Sequence, residues 1–113
     1  MTVLTAALVG AGAGVGSALR YVAGRRLDRG WPLGTLLVNL LGSVLVGACA
    51  AAGLAGDAWA TVGIGFGGGL TTWSGFAVQV HDLGWRRGTA YAVSTLLLCV
   101  LGCVGAYAAV GAA

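Results

Sequence analysis

The stretch GFGGGLTTWSGF, residues 65–76, lies inside a segment apolar enough to sit in a membrane. Three consecutive glycines followed by Thr-Thr-Trp-Ser weaken a helix where lipid offers the backbone no water. Non-helical backbone survives at that depth only when buried in protein or lining a cavity. The stretch therefore predicts a break at Gly67-Gly68-Gly69, near the middle of a spanning helix. Freed carbonyls there suit a cation, and the N-terminus of a half-helix suits an anion. A continuous helix whose glycines merely permit close crossing is the alternative. The glycines are consecutive rather than spaced along one face, and hydroxyl residues follow at once, which favours the break.

The surrounding chain sets the context. Of 113 residues, 58% are hydrophobic and 8% charged, whereas a soluble domain carries about a quarter charged residues. Apolar windows fall at 3–22, 33–54, 59–80 and 88–111, each near the roughly 20 residues that cross a 30 Å hydrocarbon core. Little is left outside them to form polar faces. The expected fold is a single all-α membrane domain over residues 1–113, with four transmembrane helices and the third broken near its middle. Residues 3–22 do not read as a secretory signal, because the first positive charge, Arg20, falls at the far end. Pro32 opens the second span, where its missing N–H costs nothing.

Charge is placed asymmetrically. Arg20, Arg25, Arg26 and Arg29 cluster around the end of the first span, and Arg86 and Arg87 precede the fourth. The N-terminus, the second loop and the C-terminus carry no Lys or Arg. The positive-inside rule then predicts a multi-pass protein of the cell membrane with both termini outward.

No acid lies at membrane depth. Asp28, Asp57 and Asp82 are all in loops, there is no glutamate, and His81 closes the third span. A proton-coupled transporter normally needs an ionisable group within the membrane. The small multidrug antiporters, also four-helix proteins, are disfavoured for that reason. No nucleophile–base pair or catalytic metal cluster points to an enzyme, and no nucleic-acid partner is expected. Cys49, Cys99 and Cys103, an odd number within spans, argue against a disulfide framework; Cys99 and Cys103 read as packing residues.

The polar residues within the spans are neutral. Asn39 lies about 9 Å into the second span and reads either as interhelical glue or as a donor on an ion path; alone it favours glue. Tyr91 and Thr95, one turn apart, are equally ambiguous. Arg20 reads as a snorkelling anchor or as a group drawing anions to an entrance. GAGAGVG, residues 10–16, fails the dinucleotide-loop spacing and instead forms overlapping small-xxx-small pairs, Gly10/Gly14 and Gly12/Gly16. Trp73 and Phe76, at i, i+3, share a helix face, and their ring edges are electropositive. Beside a glycine break, with Asn39 and Ser74 as donors, such edges can hold a small anion without trapping it.

These residues carry a resemblance that covers essentially the whole chain. GVGSALRY (14–21), PLGTLLVNLLGS (32–43) and GFGGGLTTWSGF occur in the order and spacing of the Fluc (CrcB) family of small fluoride channels, which the chain resembles. The resemblance implies an antiparallel dimer with two fluoride pores and a structural central Na+ held by the carbonyls of Gly68 and Thr71. It places the family's paired phenylalanines at Trp73 and Phe76, its pore asparagine at Asn39, its vestibule arginine at Arg20 and its intervening serine at Ser74. Tyr91 and Thr95 match hydroxyl residues of the fourth helix more loosely.

Two positions depart from the family pattern: Trp73 replaces Phe, adding bulk and an N–H, and Gly75 replaces a hydroxyl residue. The expected function is passive, selective export of fluoride. The alternative is a partner-dependent or non-conducting subunit of a heteromeric channel. A chain that pairs antiparallel with itself needs balanced Lys and Arg on its two sides, and six against none fixes one orientation. An oppositely oriented homologous partner is therefore expected.

Overall fold

A computed structural model describes all 113 residues, Met1–Ala113. The chain is all helix, with a single isolated bridge between Asp28 and Pro32 and no sheet. Helix α1 spans Val3–Leu27 and α2 spans Leu33–Ala51. A second rod starts with the short α3, Gly56–Trp59, widens into a π-helix over Ala60–Gly67 and closes with α4, Gly68–Leu70. After an interruption at Thr71 and Thr72 the chain resumes as α5, Trp73–Gly111. Within α5, Gly84 has φ 82° and ψ 172°, a conformation that L-residues avoid, and there the helix bends.

Three runs are long and apolar enough to cross a membrane: Val3–Leu27, Leu33–Ala51 and the bent Gly56–Gly111. The molecule measures 44 × 33 × 21 Å, so its long axis matches the roughly 40–45 Å of a bilayer with its headgroups. Only 18 of 113 residues are buried, while Leu4, Leu41, Val78, Leu97, Leu101 and many other large apolar side chains face outward. In water such a surface would aggregate; against lipid tails it is the expected exterior.

Helix ends are closed locally. Thr2 caps α1 by accepting the Thr5 N–H at 3.0 Å. Helix α2 stops in a Schellman motif, with Leu54 N–H to the Cys49 carbonyl at 3.0 Å and Gly53 N–H to Ala50 at 3.1 Å. Gly53 takes the positive φ, 69°, that this motif requires.

Small residues set the packing. A methyl group on Gly12 would strike the Thr61 carbonyl, and one on Gly16 the Phe66 carbonyl. From the other side, a methyl on Gly69 would strike the Ala13 carbonyl. Helix α1 thus lies backbone to backbone against residues 56–70. Of the two sequence pairs, Gly12/Gly16 forms this contact, whereas Gly10 and Gly14 have open space beside them.

The structure relocates the expected break. Gly67, Gly68 and Gly69 are helical, with Gly68 at φ −65° and ψ −38°. Extended geometry begins at Thr71 (φ −85°, ψ 158°) and continues at Thr72 (φ −148°, ψ 127°). The glycines serve the crossing with α1, and the helix parts two residues beyond them. Span limits also shift: α1 runs five residues past the expected end to Leu27, and α2 stops three residues early at Ala51.

Gly16→Val should therefore cost about 1–3 kcal/mol or abolish folding through overpacking. Gly14→Val should stay within about 0.5 kcal/mol, as is usual for open surface sites. Thermal unfolding of both variants in detergent micelles measures the difference.

Candidate functional site

The break is held by side chains from two other helices. Asn39 of α2 donates Nδ2–H to the Thr72 carbonyl at 3.1 Å, and its Oδ1 accepts the Thr72 N–H at 2.7 Å. One amide thus satisfies both polar groups of one extended peptide residue, and the pairing fixes which end of the amide is nitrogen. Arg20 of α1 donates Nη1–H to the Thr71 carbonyl at 3.2 Å. Thr71 hydroxyl and N–H both return to the Gly67 carbonyl, at 2.9 and 3.0 Å. Thr72 then caps α5, its hydroxyl accepting the Gly75 N–H at 3.0 Å.

These bonds satisfy both backbone polar groups of Thr71 and of Thr72. In a continuous helix the Thr72 N–H would bond the Gly68 carbonyl. Asn39 takes that N–H instead, so the Gly68 carbonyl loses its helical donor. The N-terminus of α5, with its positive dipole end, begins beside it.

A groove of about 540 Å³ runs along this region, open on one side. Asn39, Ser43, Thr71, Thr72, Trp73, Phe76 and Thr95 line it, together with Gly67, Gly68, Cys99 and Cys103. Asn39 is 9% exposed and Phe76 6%, whereas Trp73 is 71% exposed at the groove rim. The Trp73 and Phe76 centroids are 5.3 Å apart at 43°. Thr95 is 3% exposed; its Oγ1 makes no hydrogen bond of full geometry and has the Tyr91 hydroxyl, one turn back, within interacting range.

Of the seven residues expected at the pore, Asn39, Trp73, Phe76 and Thr95 meet in this groove. Tyr91 is wholly buried behind it, its ring 5.7 Å from that of Phe76. Ser74 is exposed and reaches only the Thr72 hydroxyl, at 3.5 Å. Arg20 does not line the groove and holds the break from behind. Gly68 and Thr71, the expected Na+ ligands, both line it.

The sequence reading missed Thr72. A hydroxyl residue followed by a helix-compatible run is an N-cap signal, and it marks where the helix restarts. The reading also missed Asp28. Its carboxylate accepts from Thr35 N–H at 3.0 Å, Thr35 hydroxyl at 2.7 Å and Gln79 Nε2–H at 3.3 Å. It thereby joins the end of α1, the first turn of α2 and residues 73–83 of α5.

The class is now defined: an all-helical membrane protein whose groove is lined by neutral hydrogen-bonding groups and aromatic rings, with no carboxylate in it. The chain belongs to the family described as CrcB-like protein, Camphor Resistance (CrcB), whose model matches residues 7–111. It is 46% identical over 81 residues to "Fluoride-specific ion channel FluC 2" of Rhodococcus jostii, covering 70% of this chain and 68% of that one. A protein of the same description from Haloarcula marismortui is 45% identical over 85 residues, 74% of this chain and 71% of the other. "Fluoride-specific ion channel FluC 1" of Nocardia farcinica is 38% identical over 109 residues, 92% and 77% of the two chains. These relatives are ion channels by description, not enzymes.

Removing the clamp tests the geometry. Asn39→Ala should destabilise the protein by about 2–4 kcal/mol, since two bonds are lost and a buried N–H and C=O are orphaned. Asn39→Asp should be nearly as damaging, because a carboxylate oxygen would face the Thr72 carbonyl. Chemical denaturation in bicelles, followed by tryptophan fluorescence, reads both.

Proposed function

We propose that this chain forms a fluoride-selective channel through which fluoride leaves the cytoplasm passively. The observation that carries the reading is the groove itself, where the Asn39 amide and the buried Thr95 hydroxyl meet the rings of Phe76 and Trp73 with no carboxylate among them. Both an amide N–H and a hydroxyl can donate to an anion. Asn39 has a second N–H beyond the one given to Thr72, and the ring edges add weak positive potential. Neutral donors of this kind can replace part of an ion's hydration without holding it too tightly to leave. Fluoride arriving as HF and deprotonating inside would find an exit and no pump. That the relatives are described as fluoride-specific ion channels supports the choice of anion.

In this reading the apolar run from Gly56 onward crosses the membrane twice. Gly84 turns the chain at one face, giving four helices in all. The groove is open on one side, with Trp73, Ile64, Leu96 and Val100 exposed around it, and an antiparallel partner subunit closes it into pores.

A structural Na+ fits the same region. The Gly68 carbonyl lacks its helical donor, and the Thr71 carbonyl keeps a lone pair beyond the one Arg20 occupies. Unwound backbone carbonyls and half-helix ends are the groups that hold sodium in membrane proteins. Two such oxygens are too few for a hard cation, so a partner would supply the rest. The ion would provide fixed positive charge where two subunits meet.

A second reading concerns the partner. Thr5 Oγ1–H bonds Asp57 at 2.8 Å, and Arg87 Nη2–H bonds the Gly30 carbonyl at 2.6 Å. The N-terminus therefore lies beside the second turn, and the Gly84 bend beside the first loop. Arg25, Arg26, Arg29, Arg86 and Arg87, all exposed, gather at this latter end. Such bias fixes one orientation, with both termini outward, and calls for an oppositely inserted homologous subunit.

Purified protein in liposomes loaded with fluoride and chloride, read by ion-selective electrodes, should release fluoride and retain chloride. Release of both ions, or of neither even after co-expression with an oppositely oriented homologue, overturns the channel reading. Tags on each terminus should be accessible only from outside; equal accessibility from both sides removes the obligate-partner reading.

A further inference from the structure

Residues 28–32, between α1 and α2, form a strap tied down at several points. Asp28 anchors one end through Thr35 and Gln79. At the other, Arg87 donates to the Gly30 carbonyl at 2.6 Å, and its guanidinium carbon stands 5.6 Å from the centroid of the Trp31 ring. None of the residues making these bonds lines the groove.

Trp31 is the outer member of an aromatic file. Its ring meets Tyr91 edge to face, 5.5 Å between centroids and 84° between planes. Tyr91 then stacks at 5.7 Å and 35° on Phe76, and Phe76 at 5.3 Å and 43° on Trp73. The file runs unbroken from an exposed arginine to the groove wall. Tyr91 is its most buried member, at 0% exposure; its hydroxyl makes a long bond, 3.4 Å, to the Pro32 carbonyl in the strap and has the Thr95 side chain beside it. Its ring is flanked by Trp31 on one side and Phe76 on the other.

We propose that Arg87 and Trp31 are positioning residues: the guanidinium clamps the indole over Tyr91, and Tyr91 in turn fixes the Phe76 ring that borders the anion path. This rests on the reading of the groove as a fluoride path. A cation over a Trp face is the strongest of the side-chain cation–π pairs, and the T-shaped meeting of indole and phenol adds the quadrupole attraction. The first loop and the Gly84 bend would thereby control passage from outside the membrane-spanning helices. Trp85, 83% exposed beside Arg86 and Arg87, takes no part in the file and serves as the control position.

The test pairs disruptive with conservative variants. Arg87→Gln and Trp31→Leu should lower fluoride efflux from liposomes about fivefold, the factor a cation–π contact of ordinary strength controls. Arg87→Lys and Trp31→Phe, which keep a cation and a ring, should recover to within about twofold of the parent, and Trp85→Leu should match it. Carbon-13 NMR of ring-labelled tyrosine gives a readout independent of conduction. The Tyr91 resonance should shift in Arg87→Gln and Trp31→Leu and return in the conservative pair, while Tyr21 and Tyr107 stay fixed. An unmoved Tyr91 resonance, or conservative variants as impaired as disruptive ones, overturns the proposal. A shifted resonance in a protein whose parent passes no fluoride upholds the positioning and fails the channel reading instead.

Discussion

The amide of Asn39, bonded to both the N–H and the carbonyl of Thr72, is the constraint on which the site depends. A spanning helix cannot open its backbone to lipid, because each unsatisfied group costs several kcal/mol. Here one side chain from α2 supplies what water would supply elsewhere. With Thr72 satisfied, the Gly68 carbonyl is released, α5 restarts at Trp73, and Trp73 and Phe76 come to line the groove. Arg20 braces the same segment from α1 through Thr71. The two helices preceding the break therefore hold it open between them.

The sequence revealed the helices more readily than the break. Apolar windows locate α1, α2 and the long run from Gly56, because lipid demands continuous apolar surface and tolerates little else. The glycine triplet pointed to the right region but to the wrong residues. Helix propensity ranks glycine as the weak point, yet Gly69 is required by the Ala13 backbone and stays helical. What parts the helix is an acceptor and a donor 33 residues away in the chain, and no local propensity records that. Asn39 and Thr95 were legible as polar groups within apolar spans, and Trp73 and Phe76 as aromatics sharing one helix face beside the glycine run. Arg20 was legible as an anomaly but not as a brace, since its partner is a main-chain carbonyl. The Asp28 hub and the Arg87–Trp31 contact join loop residues whose neighbours depend on the fold.

The chemistry of the groove follows from what it excludes. Its polar members are amide, hydroxyl and thiol, and the three aspartates lie elsewhere. A site without fixed charge binds an anion weakly and releases it readily, which suits conduction better than storage. Trp73 changes this balance where relatives are expected to carry phenylalanine. Its larger ring is exposed at the rim and adds an N–H donor. Under the proposed reading, selectivity is set by how tightly Phe76, Tyr91 and Trp73 are held, rather than by any single ligand.

Amide hydrogen exchange at Thr72, in protein reconstituted in bilayers, tests the central claim most directly. The account predicts that this N–H exchanges as slowly as those of the adjoining helices although it lies in an extended, groove-lining segment, and that Asn39→Ala abolishes the protection. An amide that exchanges freely in the unaltered protein, or one whose protection survives the loss of Asn39, would contradict it.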